Sequence, residues 1–202
     1  MARSRKVLLP RRAAGPRVGV LALQGDFEAH SHALRAAGGD PVEVRVPADL
    51  EGCRALVLPG GESTTLLRLL ASSGLDAAIP AFHRGGGALL GTCAGAILLA
   101  REVTKPDQPS LGLLDASVAR NHYGRQLDSF EAQAPFPGGG PPLPLVFIRA
   151  PAFTRVGPGV EVLLEHGGLP VLVREGRVLA ATFHPELTAD ARVHRLLLDA
   201  AG

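Results

Sequence analysis

Three side chains carry the reactive chemistry that this sequence offers. Cys93 stands in Gly91-Thr92-Cys93-Ala94-Gly95, directly after the apolar run "ALLGT", and His184 and Glu186 stand two apart in "TFHPEL". G-x-C-x-G is the thiol form of a nucleophile elbow, a sharp strand-to-helix turn that presents a nucleophile in strained backbone. Small flanking residues let chain and substrate come close. The start of a helix at Ala94 favours a thiolate and offers free N–H groups, that of Ala94 among them, to a developing oxyanion. A free cysteine in an apolar run is equally well a packed small hydrophobe, and the motif by itself leaves both readings open.

A thiol nucleophile needs a base. The chain has seven histidines. His30 and His32 fall on a first helix, His194 on the last, and His83, His122 and His166 near turns. For these six the expectation is a solvated or hydrogen-bonded surface histidine. His184 differs because it follows the strand-like run "RVLAA". Pro185 forbids helix continuation and is expected to hold the segment extended. Residues two apart in an extended chain share a side, so Glu186 can orient the His184 imidazole as the third member of a triad. A metal reading of the same pair lacks further ligands at suitable spacing.

A second glycine turn, "LPGGESTT", also ends a strand and opens a helix. Its backbone N–H groups could complete an oxyanion hole or hold an anion. The alternative is an ordinary strand-to-helix turn capped by Ser63 or Thr64.

The elements that must position these groups follow from hydrophobic periodicity. "RVGVLALQ", "PVEVRV", "ALVLPGG" and "ALLGT" read as strands. "DFEAHSHALRAAGG", "ESTTLLRLLASSG" and "GLDAAIPAFHRGGG" read as the helices between them, with Gly38 as a stop. Near-continuous apolar strands separated by helices indicate a parallel sheet covered on both faces. From about Leu111 the strands shorten to "LVFIRA", "VEVLLEH", "PVLVREG" and "RVLAATF". The last of these look antiparallel, with a turn at Glu175-Gly176. "ADARVHRLLLDA" closes the chain as a helix, and the Pro/Gly-rich residues 134–144 read as an exposed loop. Ligands of such sheets bind beyond the carboxyl ends of the strands, where Cys93 falls.

Composition excludes several classes. The 202 residues are 46% hydrophobic and 20% charged, and 21 Lys and Arg against 19 Asp and Glu leave a net charge of +2. That is one α/β domain's worth of core, with no clustered basic and aromatic surface for nucleic acid. No apolar stretch approaches the ~18 residues of a membrane span. Cys53 and Cys93 make no disulfide framework, which fits a reducing cytoplasm. Residues 1–16, with Arg11-Arg12, read as a disordered basic extension to a domain over 17–202. Gln24 and Asp26 cut its following apolar run too short for a signal peptide, while organellar targeting stays open.

Taken together, "GVLALQGDFEAH", "LPGGESTT", "GTCAGAILLA", "LGLLDASVARNHYGRQLDSFEA", "FIRAP" and "FHPELT" resemble the class I, triad-type glutamine amidotransferases. More narrowly, they resemble the glutaminase subunits of pyridoxal 5'-phosphate synthase, over about Val18 to Leu198. The resemblance implies a flavodoxin-like three-layer sandwich with a mostly parallel central sheet and a small antiparallel addition near the C-terminus. It implies hydrolysis of L-glutamine to glutamate and ammonia, with Cys93 as nucleophile, His184 as general base and acid, and Glu186 orienting it. Carried over by motif, the glutamine-binding positions are Gly61, Glu62, Ser63, Arg120, Ile148 and Arg149. The oxyanion donors are Gly60, Gly61 and Ala94. By charge, Arg120 suits the α-carboxylate and Glu62 the α-ammonium. No metal or cofactor is implied. The implied partner is a barrel-shaped synthase subunit whose dodecameric core carries as many glutaminase subunits and receives the ammonia. Cys53 matches no motif and reads as a packed residue. Two rival readings remain: a cysteine peptidase or deglycase of similar elbow, which would want an acidic helper near the elbow, and a catalytically silent binding subunit.

Overall fold

The computed structural model describes residues 15–120, 122 and 129–202. The basic stretch up to residue 14 and most of the "RNHYGRQ" motif lie outside the described residues, so the expectation of a disordered extension is not addressed there.

Seven strands form the central sheet in the order β10-β11-β12-β4-β3-β1-β2. They are β1 (Arg17–Leu21), β2 (Asp40–Val44), β3 (Ala55–Leu58), β4 (Ala88–Thr92), β10 (Glu161–His166), β11 (Leu169–Glu175) and β12 (Val178–Ala181). β12, β4, β3, β1 and β2 run parallel, and β10 and β11 add an antiparallel edge. The five parallel strands therefore stand in the flavodoxin order 2-1-3-4-5 when counted in chain sequence. Their side chains alternate strictly. Val18, Val20, Ala55, Val57, Ala88, Leu90, Leu179 and Ala181 enter one core, while Leu21, Leu56, Leu58, Leu89, Val178 and Ala180 enter the other. Alternation with both faces apolar is what a strand covered on both sides requires.

Helices α1 (Phe27–Ala37) and α5 (Arg192–Ala201) cover the first face through Leu34, Val193 and Leu197. Helices α2 (Ser63–Ser73), α3 (Leu75–Arg84) and α4 (Ala94–Leu99) cover the second through Leu66, Leu70, Leu75, Ile79 and Leu98. α1 begins where Asp26 Oδ1 accepts from Ala29 N at 2.9 Å, and it ends at Gly38, which takes φ 102. Both match the start and stop read from sequence.

Four short strands, over 100–104, 114–119, 129–134 and 152–156, were not foreseen, whereas the strand over 143–148 overlaps "LVFIRA". β5 (Ala100–Thr104), β6 (Leu114–Ala119) and β9 (Ala152–Val156) make a small three-stranded sheet, and β7 (Ser129–Ala134) pairs antiparallel with β8 (Leu143–Ile148). The Pro/Gly-rich residues 134–144 join β7 to β8, but Ala134, Leu143 and Pro144 are strand residues, and the exposed connection is 135–142. β12 also departs from the antiparallel reading on one side. It pairs antiparallel with β11 yet parallel with β4, so it is the fifth strand of the parallel set.

Candidate active site

β4 ends at the carboxyl edge of the sheet, flanked by β3 through Leu58↔Gly91 and by β12 through Ala181↔Thr92. The next residue, Cys93, turns with φ 49 and ψ −106, a region costly for a residue with a Cβ. Its N–H donates to Ala181 O at 2.8 Å, which holds the turn on β12. The two motif glycines have separate steric duties. A Cβ on Gly91 would stand 2.5 Å from the Gly95 carbonyl, and one on Gly95 would stand 1.9 Å from the Leu58 carbonyl oxygen. Only glycines let α4 start this close to β3 and β4. Ala94 opens α4, so its N–H has no acceptor within the helix.

His184 reaches the thiol from the other side. Its N–H donates to Val146 O at 2.8 Å, placing it beside β8. Its Nδ1 donates to Glu186 Oε1 at 2.7 Å. The pairing agrees with the sequence reading, but the route to it does not. Pro185–Leu187 is a turn of 3-10 helix with His184 as its N-cap, not an extended segment. Proline at the first helical position is compatible with such a turn, and the tight winding folds Glu186 back under the imidazole. Burial disfavours the charged form of His184, but hydrogen bonds and attraction from Cys93 and Glu186 outweigh it and raise its pKa to about 10. Burial likewise opposes the Glu186 carboxylate, yet hydrogen bonds from His184 and then His30 hold it ionised far below the usual range. Thiol, imidazole and carboxylate thus stand in line, with the charge of the last two in place.

The glycine turn after β3 forms the wall opposite. A Cβ on Gly60 would lie 2.5 Å from His184 Cε1 and 3.4 Å from Cys93 Cβ, and Gly61 takes φ 147. The turn is braced by the loop after β1. Gln24 Oε1 accepts from Glu62 N at 3.2 Å, and a Cβ on Gly25 would stand 2.0 Å from Gly60 O. α2 is capped by Glu62, not by Ser63 or Thr64. The Glu62 carboxylate accepts from Thr64 N at 3.1 Å, Thr65 N at 2.7 Å and Thr65 Oγ1 at 2.8 Å, while Ser63 Oγ donates to Gln108 Oε1 at 3.0 Å. Burial would raise the pKa of Glu62, but these hydrogen bonds lower it to about 2. Arg120, at the end of β6, places Nη2 3.2 Å from Glu62 Oε1 and 3.3 Å from Thr64 Oγ1. The two charges assigned by sequence to opposite ends of one ligand therefore meet each other, and most of the lone pairs of Glu62 are already engaged.

Gly61, Glu62, Ser63, Cys93, Ile97, Arg120, Ile148 and Arg149 line one cavity of ≈ 200 Å³. All six positions carried over as glutamine-binding are among them. Cys93 Sγ lies 4.0 Å from Ile148 O, and Arg149, like Cys93, is a non-glycine residue with positive φ, at 44°. Gly60 and Ala94 adjoin the cavity through His184 and Cys93.

Two of the six histidines expected at the surface are not there. His30 and His194 are fully buried. His30 Nδ1 lies 3.0 Å from His194 Nε2, and His30 Nε2 lies 3.1 Å from Thr92 Oγ1 and 3.3 Å from Glu186 Oε2. Burial and then His30 push the pKa of His194 down to about 3. The sequence did carry a signal: His30 and Leu34 fall four apart on α1, and His194 sits between Val193 and Leu197, both on core faces. His83 conforms to expectation, with Nδ1 3.0 Å from Gly87 O. Gln24 and Gly25 were also missed as site residues. A polar residue at the carboxyl end of a buried strand, followed by glycine, was the available clue.

Among the described residues no group of three or more His, Cys, Asp and Glu could hold a metal ion. No described helix is long and apolar enough to cross a membrane.

A strained thiol at the carboxyl edge of a parallel sheet, with an imidazole and a buried carboxylate behind it, is equipped for nucleophilic acyl transfer. The chain matches the model of the SNO glutamine amidotransferase family over residues 20–201 and belongs to that family. It is 55% identical to the pyridoxal 5'-phosphate synthase subunit PdxT of Deinococcus radiodurans, over 92% of this chain and 97% of that one. It is 57% identical to the PdxT of Thermus thermophilus, again over 92% and 97%. A crystal structure of a glutamine amidotransferase superposes with a TM-score of 0.86 at 53% identity, over 92% of this chain and 98% of that one. PurLQS from Thermotoga maritima, with a TM-score of 0.72 at 18% identity over 93% and 100%, shares the fold.

Proposed function

We propose that the chain is the glutaminase subunit of a pyridoxal 5'-phosphate synthase, residues 17–202 forming one domain. The observation that carries the site assignment is the meeting of Cys93, which follows β4, with His184 and Glu186, which follow β12, His184 Nδ1 lying 2.7 Å from Glu186 Oε1. The whole-length similarity to PdxT proteins supports the choice of pathway.

In this reading the Cys93 thiolate attacks the side-chain amide carbon of L-glutamine. The oxyanion that forms is held by backbone N–H groups of Ala94 and the Gly60-Gly61 turn. His184, protonated, gives its proton to the departing nitrogen, and ammonia leaves behind a γ-glutamyl thioester. The now neutral imidazole takes a proton from water, whose oxygen attacks the thioester carbon. Collapse releases glutamate and restores the thiolate and imidazolium. Glu186 keeps the imidazole in one tautomer and offsets its positive charge. Arg120 binds the glutamine carboxylate with the guanidinium edge not spent on Glu62 and Thr64. Glu62 takes the α-ammonium with what lone-pair capacity its cap leaves.

The ammonia passes to a barrel-shaped synthase subunit, with equal numbers of the two subunits around a dodecameric core, in the cytoplasm. The chemistry needs no metal or cofactor in this subunit. Glutamine hydrolysis assayed with and without the synthase tests the reading. The expected result is weak activity alone and at least ~10-fold more in the complex, about 1.4 kcal/mol of barrier. No hydrolysis in either case would overturn it.

A further inference from the structure

The mechanism above uses one oxygen of Glu186. The other, Oε2, is buried and faces a second histidine. His30 comes from α1, and its Nε2 stands 3.1 Å from Thr92 Oγ1 and 3.3 Å from Glu186 Oε2. It therefore touches both halves of the site, the strand residue just before the nucleophile and the carboxylate behind the imidazole. Its other nitrogen stands 3.0 Å from His194 Nε2 on α5. All three residues are buried, at 0% exposure for His30 and His194 and 7% for Glu186.

Two atoms of this row are buried without a hydrogen-bond partner, Glu186 Oε2 and His194 Nδ1, and the second fixes where the hydrogens are. His194 Nδ1 is buried and has no hydrogen-bond partner. A bare ring nitrogen left unpaired there costs less than an N–H left undonated. His194 therefore carries its hydrogen on Nε2 and donates it to His30 Nδ1. His30 Nδ1 is then an acceptor, which leaves the His30 hydrogen on Nε2, aimed at Glu186 and Thr92. The opposite arrangement would strand an N–H in the core and take the donor away from Glu186.

We propose that His30 is a positioning residue of the glutaminase site, and that His194 sets its tautomer so that a buried N–H is held against Thr92 Oγ1 with Glu186 Oε2 3.3 Å away. The inference rests on the functional reading above. With Oε1 bonded to His184 and Oε2 set 3.3 Å from His30 Nε2, Glu186 is hindered from rotating away from His184, and the imidazolium keeps its partner in the geometry that proton transfer needs. The titratable and polar groups that face His30 are Thr92 on β4, Glu186 on the 3-10 turn and His194 on α5. His184 lies beyond Glu186, and His32, exposed on α1, lines a surface cavity that Glu186 borders.

Two variants separate positioning from packing. His30→Leu keeps bulk but removes the donor. His30→Gln places an amide N–H close to the position of Nε2. Measured with the synthase subunit present, His30→Leu is expected to lower kcat for glutamine hydrolysis about 10- to 100-fold, the worth of one hydrogen bond to a charged group. KM should change little. The acid limb of the pH profile should move to higher pH, because Glu186 protonates more readily without the N–H that stands 3.3 Å from its Oε2. His30→Gln should recover most of both. The rate of Cys93 alkylation by iodoacetamide across pH should follow the same order, since it reads the thiolate–imidazolium pair without glutamine. A His30→Leu protein with wild-type kcat and an unmoved acid limb would overturn the proposal, as would a His30→Gln protein no better than His30→Leu. Should His30→Leu fail to fold, His194→Leu carries the test. An acid limb shifted upward in that variant supports the proposal, and an unmoved one overturns it. A wild-type chain that hydrolysed no glutamine would sink the functional reading instead, with the alkylation profiles still deciding on His30.

Discussion

Gly95 sits so close to Leu58 that a Cβ on it would stand 1.9 Å from the Leu58 carbonyl oxygen, a backbone atom of the neighbouring strand. Gly60 is crowded in a different way, with His184 Cε1 2.5 Å from its would-be Cβ. The first neighbour cannot yield without moving β3, whereas the second is a side chain that can swing aside. Gly95→Ala is therefore expected to cost stability, by about 1–3 kcal/mol or more, seen as a lowered urea midpoint. Gly60→Ala should leave the midpoint nearly unchanged and abolish most glutamine hydrolysis, because the imidazole that moves is the proposed proton carrier. Equal stability losses for the two variants would contradict this division.

How much of this was legible beforehand follows from where the information lies. The glycines around Cys93 could be read as an elbow because a thiol between two glycines after a buried strand is a local pattern. The apolar runs of β1, β3 and β4 likewise declared themselves as short, near-continuous apolar segments between helix-like stretches. The pairing of His184 with Glu186 was anticipated on the wrong backbone, since a 3-10 turn and an extended segment can each bring positions two apart together. His30 and His194 were misplaced because their environment is made by residues 164 positions apart in the chain. No local pattern reports that two histidines on separate helices will meet under one sheet. The cap on α2 was misassigned for a related reason. Glu62 is not among the usual N-cap residues, and it takes the role here beside Arg120, which arrives from β6.

The nucleophile and proton carrier can be separated from the pathway they serve. Cys93→Ala removes the thiol and His184→Asn removes the proton carrier at similar size. Either should cost on the order of 10⁴-fold or more in glutamine hydrolysis, and the double variant little more, because such groups act as a unit. In a complex with the synthase, each variant should fail to make pyridoxal 5'-phosphate from glutamine yet make it at near wild-type rate from an ammonium salt. A complex that stayed inactive with ammonium would assign these residues to assembly.

The two cysteines should differ sharply toward a glutamine-like electrophile. Burial raises the pKa of Cys53, outweighing a hydrogen bond from Arg17, and its Sγ is directed at Asp49 O at 3.6 Å. Cys93 instead opens onto the candidate substrate cavity, with the His184 imidazole beside it. Mass spectrometry of the folded chain should find Cys93 modified first. Labelling of Cys53 first would remove the support for Cys93 as the nucleophile.

His194 should leave a signature in the pH dependence of stability. Its folded-state pKa is pushed down to about 3 from 6.5. Between those values the unfolded chain binds a proton there that the folded chain does not, so falling pH favours unfolding. The slope from this one group is at most about 1.4 kcal/mol per pH unit, and it ends near the folded pKa. His194→Leu should flatten the loss of stability that begins as pH drops below 6.5, read from urea midpoints at several pH values. A variant whose stability fell as steeply as wild type from that point would mean that the histidine is protonated in the fold.

Glu62 gives the complementary acid-range test. Its pKa is depressed from 4.5 to about 2, with hydrogen bonds from Thr65 and Thr64 overcoming the burial that would raise it. A carboxylate depressed in the fold adds stability that is fully present above the unfolded pKa and is lost as pH falls through the folded one. The half-exposed side chain and its solvent screening make the size of that contribution small, but its window is set. The stability difference between wild type and Glu62→Gln should be constant above about pH 4.5 and shrink as pH falls toward about 2. Glu62→Ala should show the lost cap as well, about 1 kcal/mol, at every pH where the carboxylate is charged. Both variants also release Arg120 from its partner at 3.2 Å, so KM for glutamine should change with little change in kcat, as expected for groups that bind the substrate ends and not the reacting amide. A kcat effect as large as that of His184→Asn would place Glu62 in the chemistry itself and overturn the assignment of the α2 cap to substrate binding.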